Sequence, residues 1–276
     1  MLTREASQVW DWQVIAMFRA FLPMTLLAVL CWRRRIRLVF FRPLALWMRS
    51  IAGSISLVAT FYAFTRMPIA DVLTITNMFP IWLAILLWPM LGEIPGPVVW
   101  LSAGCGLAGV YLIQGPQLNE GNFMILIPLA SSLFTSFAMI GLHRLKGVST
   151  PAVVVHFSAV ALVFAAISFF VFERNRPIDT HPDMTHLLQL LGVGVTATIG
   201  QLLLTKAFTT GNPARIAVVG LMQVVFALIL DAAFLANLPT LEQVCGISLV
   251  LAPTAWLMLR ERAAAFAEQP SCREIC

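Results

Sequence analysis

Along most of this chain apolar residues run unbroken for ~20 positions at a time, without alternating between faces, and short polar stretches part the runs. Such runs predict membrane-crossing helices, because in lipid only helices and closed barrels satisfy their own backbone, and barrel strands would alternate. The pattern predicts nine spans, at 13–32, 46–65, 70–91, 97–113, 123–143, 151–172, 187–207, 214–234 and 241–259. Arg33, Arg34, Arg35, Arg37 and Arg42 stop the first span. A Gly92-Glu93 and Pro95-Gly96-Pro97 turn separates the third from the fourth, and His143, Arg144 and Lys146 close the fifth.

The runs also repeat. Ala63-Phe64-Thr65 recurs as Ala207-Phe208-Thr209, 144 residues later, and the same offset pairs Ala70 with Ala214, Met78 with Met222, Leu91 with Leu235, Pro95 with Pro239 and Ala108 with Ala252. Span two therefore corresponds to span seven. A shift by an odd number of helices turns the copy over in the membrane, so the halves are expected to be inverted repeats. The expected organisation is a four-helix first repeat at 1–113, a linker at 114–122, a five-helix second repeat at 123–259 and a tail at 260–276.

Charge sets the orientation. One set of ends carries Arg33, Arg34, Arg35, Arg37, Arg42, Arg144, Lys146, Lys206, Arg215, Arg260, Arg262 and Arg273, against Arg4, Arg66, Arg174 and Arg176 on the other. Basic residues stay inside, which predicts a multi-pass protein of the cytoplasmic membrane with its C-terminus in the cytoplasm.

Composition agrees. The chain is 59% hydrophobic and 11% charged, with a mean hydropathy of +0.87; soluble domains carry about 25% charged residues. The net charge of +5 is spread over helix ends rather than gathered on one module, so no nucleic-acid partner is expected. The expected surroundings are a lipid bilayer and a small-molecule substrate, with a second copy of the chain as a candidate partner. Cys31, Cys105 and Cys245 read as small buried hydrophobes, and no cysteine spacing suits a metal. No cofactor and no enzymatic activity are expected: there is no Walker lysine loop, no His-Glu-x-x-His and no Gly-x-Ser-x-Gly. The one polar cluster for a membrane enzyme acting on lipid-linked substrate is His181, Asp183 and His186 in a loop, a spacing poor for a metal.

Several stretches resemble the EamA-type family of the drug/metabolite transporter superfamily. They are FRAFLPMTLLAV at 18–29, RSIAGSISLVATFYAFTRMPIADVLTITNMFPIW at 49–82, LGE at 91–93, and GVTATIGQLLLTKAFTTGNPARIAVVGLMQVVFALIL at 194–230. The resemblance implies an all-α integral membrane bundle, normally ten helices in two inverted units of five around a cavity open to alternate sides. It further implies a secondary transporter or permease for a small metabolite. Matching this chain to the family leaves its first helix without a counterpart, so a truncated, non-transporting paralogue is the rival expectation. The family's Gly-Glu is kept at Gly92-Glu93, whereas the second half has Ala236-Asn237 there.

Polar residues inside apolar spans are the candidate site. Pro80 predicts a kink in the third span, with Thr74 and Asn77 one to two turns earlier lining a cavity or bonding back to the helix. Gln201 and Gln223 are amides near mid-membrane, expected to face the interior. Tyr62 and Trp82 are candidates to stack on a ring-bearing substrate, or else packing groups. Arg19 is deep enough that it should face a cavity or a partner rather than lipid, and in a cavity it can hold an anionic group. These eight form the substrate-binding expectation. Asp231 and His156 are the proton-coupling candidates, against a snorkelling carboxylate and a satisfied interior histidine. Arg49, one turn into its span, reads as a snorkelling side chain. The Ser131, Ser132, Thr135, Ser136 cluster reads as a small-residue face for close packing.

Overall fold

The computed structural model describes residues 10–115, 123–172, 184–235 and 240–267. They form α1 (Trp12–Arg33), α2 (Leu44–Arg66), α3 (Ile69–Thr76), α4 (Phe79–Leu91), α5 (Pro97–Gln114), α6 (Leu126–His143, after a single 3₁₀ turn), α7 (Thr150–Val171), α8 (Met184–Thr210), α9 (Pro213–Gly220), α10 (Met222–Leu235) and α11 (Leu241–Ala267). Among these residues eight helical stretches are long and apolar enough to cross a membrane, counting α3 with α4 and α9 with α10 as one span each. The ninth expected span lies within α11, which runs on into the stretch expected to be tail. The protein is an all-α, multi-pass membrane bundle.

Local chemistry accounts for the helix ends. Gly92 and Gly115 take left-handed conformations (φ 72° and 54°) where α4 and α5 stop. Asn212 caps α9 by accepting from the amides of Ala214 and Arg215, with Pro213 in the first turn. Thr240 and Gln243 form a reciprocal capping box at the start of α11, with 3.0 and 3.4 Å bonds.

Packing between helices relies on small residues and hydroxyls, as expected where lipid supplies no hydrophobic drive. α2 and α6 are joined by a chain of hydroxyls: Ser56 lies 2.9 Å from Ser131 and 2.6 Å from Thr135, and Thr60 lies 2.7 Å from Ser131. Ser136 donates to the Phe79 carbonyl, tying α6 to α4. The serine cluster thus serves close packing, as its composition predicts. α5 and α11 cross with their backbones in contact. A Cβ on Gly109 would sit 2.6 Å from the Gly246 carbonyl oxygen, and one on Gly246 would sit 2.7 Å from that of Gly109.

The two ends of the bundle differ. At the end carrying Arg33–Arg42 (the arginine end), one apolar cluster joins both halves: Leu46, Leu83, Leu87, Phe208, Ala214 and Val218 belong to it. At the opposite end the core divides. Trp12, Phe61, Ala165 and Leu190 form one cluster, Ala63, Val72 and Ile75 a second, and Val110, Val224 and Val250 a third. Among the described residues α4 and α9 share a cluster, whereas α3 and α10 do not. Among the described residues, then, the broken-helix pairs share a core at the arginine end and sit in separate clusters at the other (the parted end), where further clusters still join the two halves.

Candidate functional site in the broken helices

Spans three and eight are each interrupted at mid-membrane. In span three α3 ends at Thr76, Asn77 and Met78 form a turn, and α4 restarts at Phe79. The sequence predicts a kink at Pro80; the break instead falls one turn-corner earlier, and Pro80 sits buried in the first turn of α4. Physically that is the better place for it. A proline in the first turn needs no N–H partner, and breaking the helix ahead of it relieves the clash with the preceding turn. Across the gap the bonds shorten to i→i−3, from Met78 to Ile75 and from Ile81 to Met78, both 3.0 Å.

In span eight the break recurs at Leu221, between α9 and α10, without any proline. Here the i→i−3 bonds run from Leu221 to Val218 and from Val224 to Leu221, at 3.0 and 3.1 Å. Val224 is the repeat counterpart of Pro80, and Pro80 has no N–H to make that second bond. The first-half pattern is accordingly displaced by one residue. A duplicated interruption at the same offset is a property of the fold rather than of one proline.

The interruptions meet. Gln223 Nε2 donates to Asn77 Oδ1 at 2.9 Å, while Asn77 Nδ2 donates to the Leu73 carbonyl at 2.7 Å. Asn77 is buried and Gln223 stays exposed, so the pair presents an amide to open space on one side. Thr74 turns back onto the Ala70 carbonyl at 2.9 Å. Trp82, on the next turn, is half-buried, and its Nε1 is a buried donor without a partner.

The remaining candidates lie elsewhere. Gln201 is half-buried and does not pair with Gln223: its Oε1 accepts from Arg49 Nη2 at 3.0 Å. This corrects the expectation for Arg49. It does not snorkel; it is 2% exposed and lies 4.0 Å above the Phe157 ring. Its slot is built from glycine, since a Cβ on Gly53 would come within 2.3 Å of Nη1. Arg19 is half-buried with its guanidinium 5.8 Å over Phe61. Tyr62 belongs to an aromatic group at the parted end with Phe172 at 4.8 Å and Trp12 at 6.4 Å. His156 is buried, with Nδ1 2.7 Å from Ser50 Oγ and Trp47 edge-on at 4.8 Å. Asp231 falls in α10, and its side chain lies outside the described residues, as do His181 and Asp183.

Two features escape sequence reasoning. Gln13, at the start of the first span, is fully buried with both amide atoms unpaired; its place at a predicted boundary concealed it. A cleft of about 380 Å³ lies at the arginine end, lined by Glu93, Asn212 and Arg215, rather than at the junction of the broken helices. Among the described residues no group of three or more His, Cys, Asp or Glu is arranged to hold a metal ion.

Comparison with known proteins agrees with this architecture. The chain is 26% identical over 227 residues to the pseudopaline exporter CntI of Pseudomonas aeruginosa, covering 82% of this chain and 78% of that one. It is 25% identical to an uncharacterized transporter of Helicobacter pylori over 206 residues, 74% of this chain and 69% of the relative. It is 26% identical to human solute carrier family 35 member G1 over 229 residues, 78% of this chain and 62% of the relative. A solved crystal structure, 19% identical, superposes with a TM-score of 0.81 over 95% of this chain and 92% of its own, which establishes the fold. With the sequence profile of the EamA-like transporters matching residues 1–115 and 122–259, the chain belongs to the EamA-like transporter family.

Proposed function

We propose that this membrane transporter is a secondary carrier that moves a small polar metabolite by alternating access, the two inverted halves rocking about the junction of the broken helices. The observation that carries this reading is the Asn77–Gln223 hydrogen bond between duplicated interruptions. Unwound backbone at mid-membrane is tolerated only where protein or a water-filled passage satisfies it, and paired broken helices are how secondary carriers build a substrate site. The core shared by α4 and α9 at the arginine end, against separate clusters for α3 and α10 at the other, is the kind of asymmetry that one state of such a cycle requires.

In this reading Asn77 and Gln223 offer amide donors and acceptors to the cargo. Pro80 fixes the restart of α4, Trp82 supplies a ring and a free Nε1 donor, and Thr74 shapes the bend by back-bonding. Tyr62 lies on the approach at the parted end. Gln201 acts through Arg49. His156, tied to Ser50 and closed in by Trp47, is a packing group rather than a proton carrier. Asp231 is retained as the coupling carboxylate on α10. The arginine end faces the cytoplasm, since it gathers the basic residues.

The test is flux of a labelled metabolite panel in proteoliposomes, with efflux measured first because one relative is a named exporter. Transport of at least one cargo is expected, and Gln223→Leu should cut it by roughly tenfold, the size of one lost hydrogen bond at the site. Absence of flux for every cargo, in protein shown to be folded, refutes the proposal.

A further inference from the structure

We infer that the cargo is anionic, carrying a carboxylate or similar group, and that Arg19 and Arg49 are its two charge stations; this rests on the carrier function proposed above. Arginine stays protonated in proteins, and a charge inside the bilayer is costly unless it is compensated. Among the described residues the partners of both cations are neutral: Phe61 beneath Arg19, and Phe157 with Gln201 Oε1 around Arg49. An aromatic face and an amide oxygen stabilise a guanidinium without cancelling its charge. Each site therefore keeps its full positive charge in a low-dielectric setting, where a mobile anion interacts strongly.

Snorkelling does not explain Arg49. It starts one turn inside α2, near the arginine end, and helical side chains lean toward the N-terminus, here toward water. The interface was within reach. The side chain instead lies inward in a slot that Gly53 keeps open, and its Nε is a buried donor without a partner. A spare donor on a fork-shaped cation suits a carboxylate oxygen.

The two positions divide the passage between them. Arg19 lies in the half of α1 toward the parted end, where a ligand entering there meets it. Arg49 lies in the half toward the arginine end, between α2 and the second-half helices α7 and α8. Opening the arginine end separates α2 from those helices and hands Arg49 to the passage, so each cation serves one of the two access states.

The experiment uses the full chain in lipid nanodiscs and matched acid–amide pairs: succinate and succinamide, benzoate and benzamide, citrate and its triamide. Melting is followed for wild type, Arg19→Gln, Arg49→Gln and Arg49→Lys. Acids should raise the melting temperature and their amides should not. Arg19→Gln should weaken half-saturation by roughly tenfold, and Arg49→Lys, which keeps the charge if Arg49→Gln does not fold, should retain most of the response. Equal behaviour of acids and amides, or an unchanged acid response in both charge-removing variants, overturns the inference. Flux separates the two proposals: transport of neutral members undiminished by loss of either arginine leaves the carrier standing and removes the anionic cargo. Acid-selective stabilisation without flux does the reverse.

Discussion

At the residue scale the most exacting contact is between Gly109 and Gly246. Each would place a Cβ within 2.7 Å of the other's carbonyl oxygen, and backbone cannot swing aside as a side-chain tip can. Gly109→Ala should therefore destabilise the protein by about 1–3 kcal/mol, the usual cost of overpacking. Gly104→Ala on the same helix meets open space and should be neutral or slightly stabilising through helix propensity. Thermal unfolding of both variants in detergent checks the pair; equal stability would mean the α5–α11 crossing is looser than drawn. The same scale shows what sequence could and could not convey. That Gln201 faces inward follows from the price of an amide in lipid. That it faces Arg49 does not, because the two lie 152 positions apart. Arg49 departs from its sequence reading because depth along a helix is legible in sequence, whereas direction around it depends on which neighbour is a glycine. Gly53 and Gly141 both abut Arg49, the first at its guanidinium and the second at its backbone, yet read as ordinary small residues.

At the element scale the interruption in span three was legible through Pro80, while that in span eight was visible only through the repeat. Periodicity runs smoothly across Gly220-Leu221-Met222, and nothing local announces a break. The duplicated offset transferred the expectation of a special site to Gln223, though not the change in backbone. If the break belongs to the fold, a proline should be tolerated where the first half has one. Val224→Pro removes a single i→i−3 bond at an existing interruption and should cost no more than about 1.5 kcal/mol. Leu228→Pro, one turn further into continuous α10, should cost about 3 kcal/mol or more. Urea unfolding in mixed micelles compares them, and equal losses would show span eight to be an unbroken helix. The hydroxyl chain between α2 and α6 gives a milder expectation: Ser131→Ala removes bonds to Ser56 and Thr60 and should cost about 0.5–1 kcal/mol.

At the scale of the whole molecule, hydropathy located eight of the nine expected spans to within a few residues of a membrane-length helix, since span length is set by bilayer thickness. It could not indicate at which end the broken helices share a core, because that depends on contacts between them rather than on any one helix. The arginine-end cluster draws on both halves, with Leu83 and Leu87 of α4 against Ala214 and Val218 of α9. The opposite end holds α3 and α10 in separate clusters. Access to the junction should therefore be one-sided. In a background lacking all five native cysteines, Cys31, Cys105, Cys245, Cys272 and Cys276, a cysteine replacing exposed Gln223 should react with a membrane-impermeant thiol reagent added outside intact cells. A cysteine replacing Leu83, fully buried in the arginine-end core, should remain unlabelled from either face. Anchoring the labelling to reporter fusions at residues 114–122 and at the C-terminus fixes which face is which, with the C-terminus expected inside and the 114–122 loop outside. Labelling of position 223 from the cytoplasmic face alone would invert the proposed state, and reporters on the same face would dissolve the inverted symmetry on which the rocking motion depends.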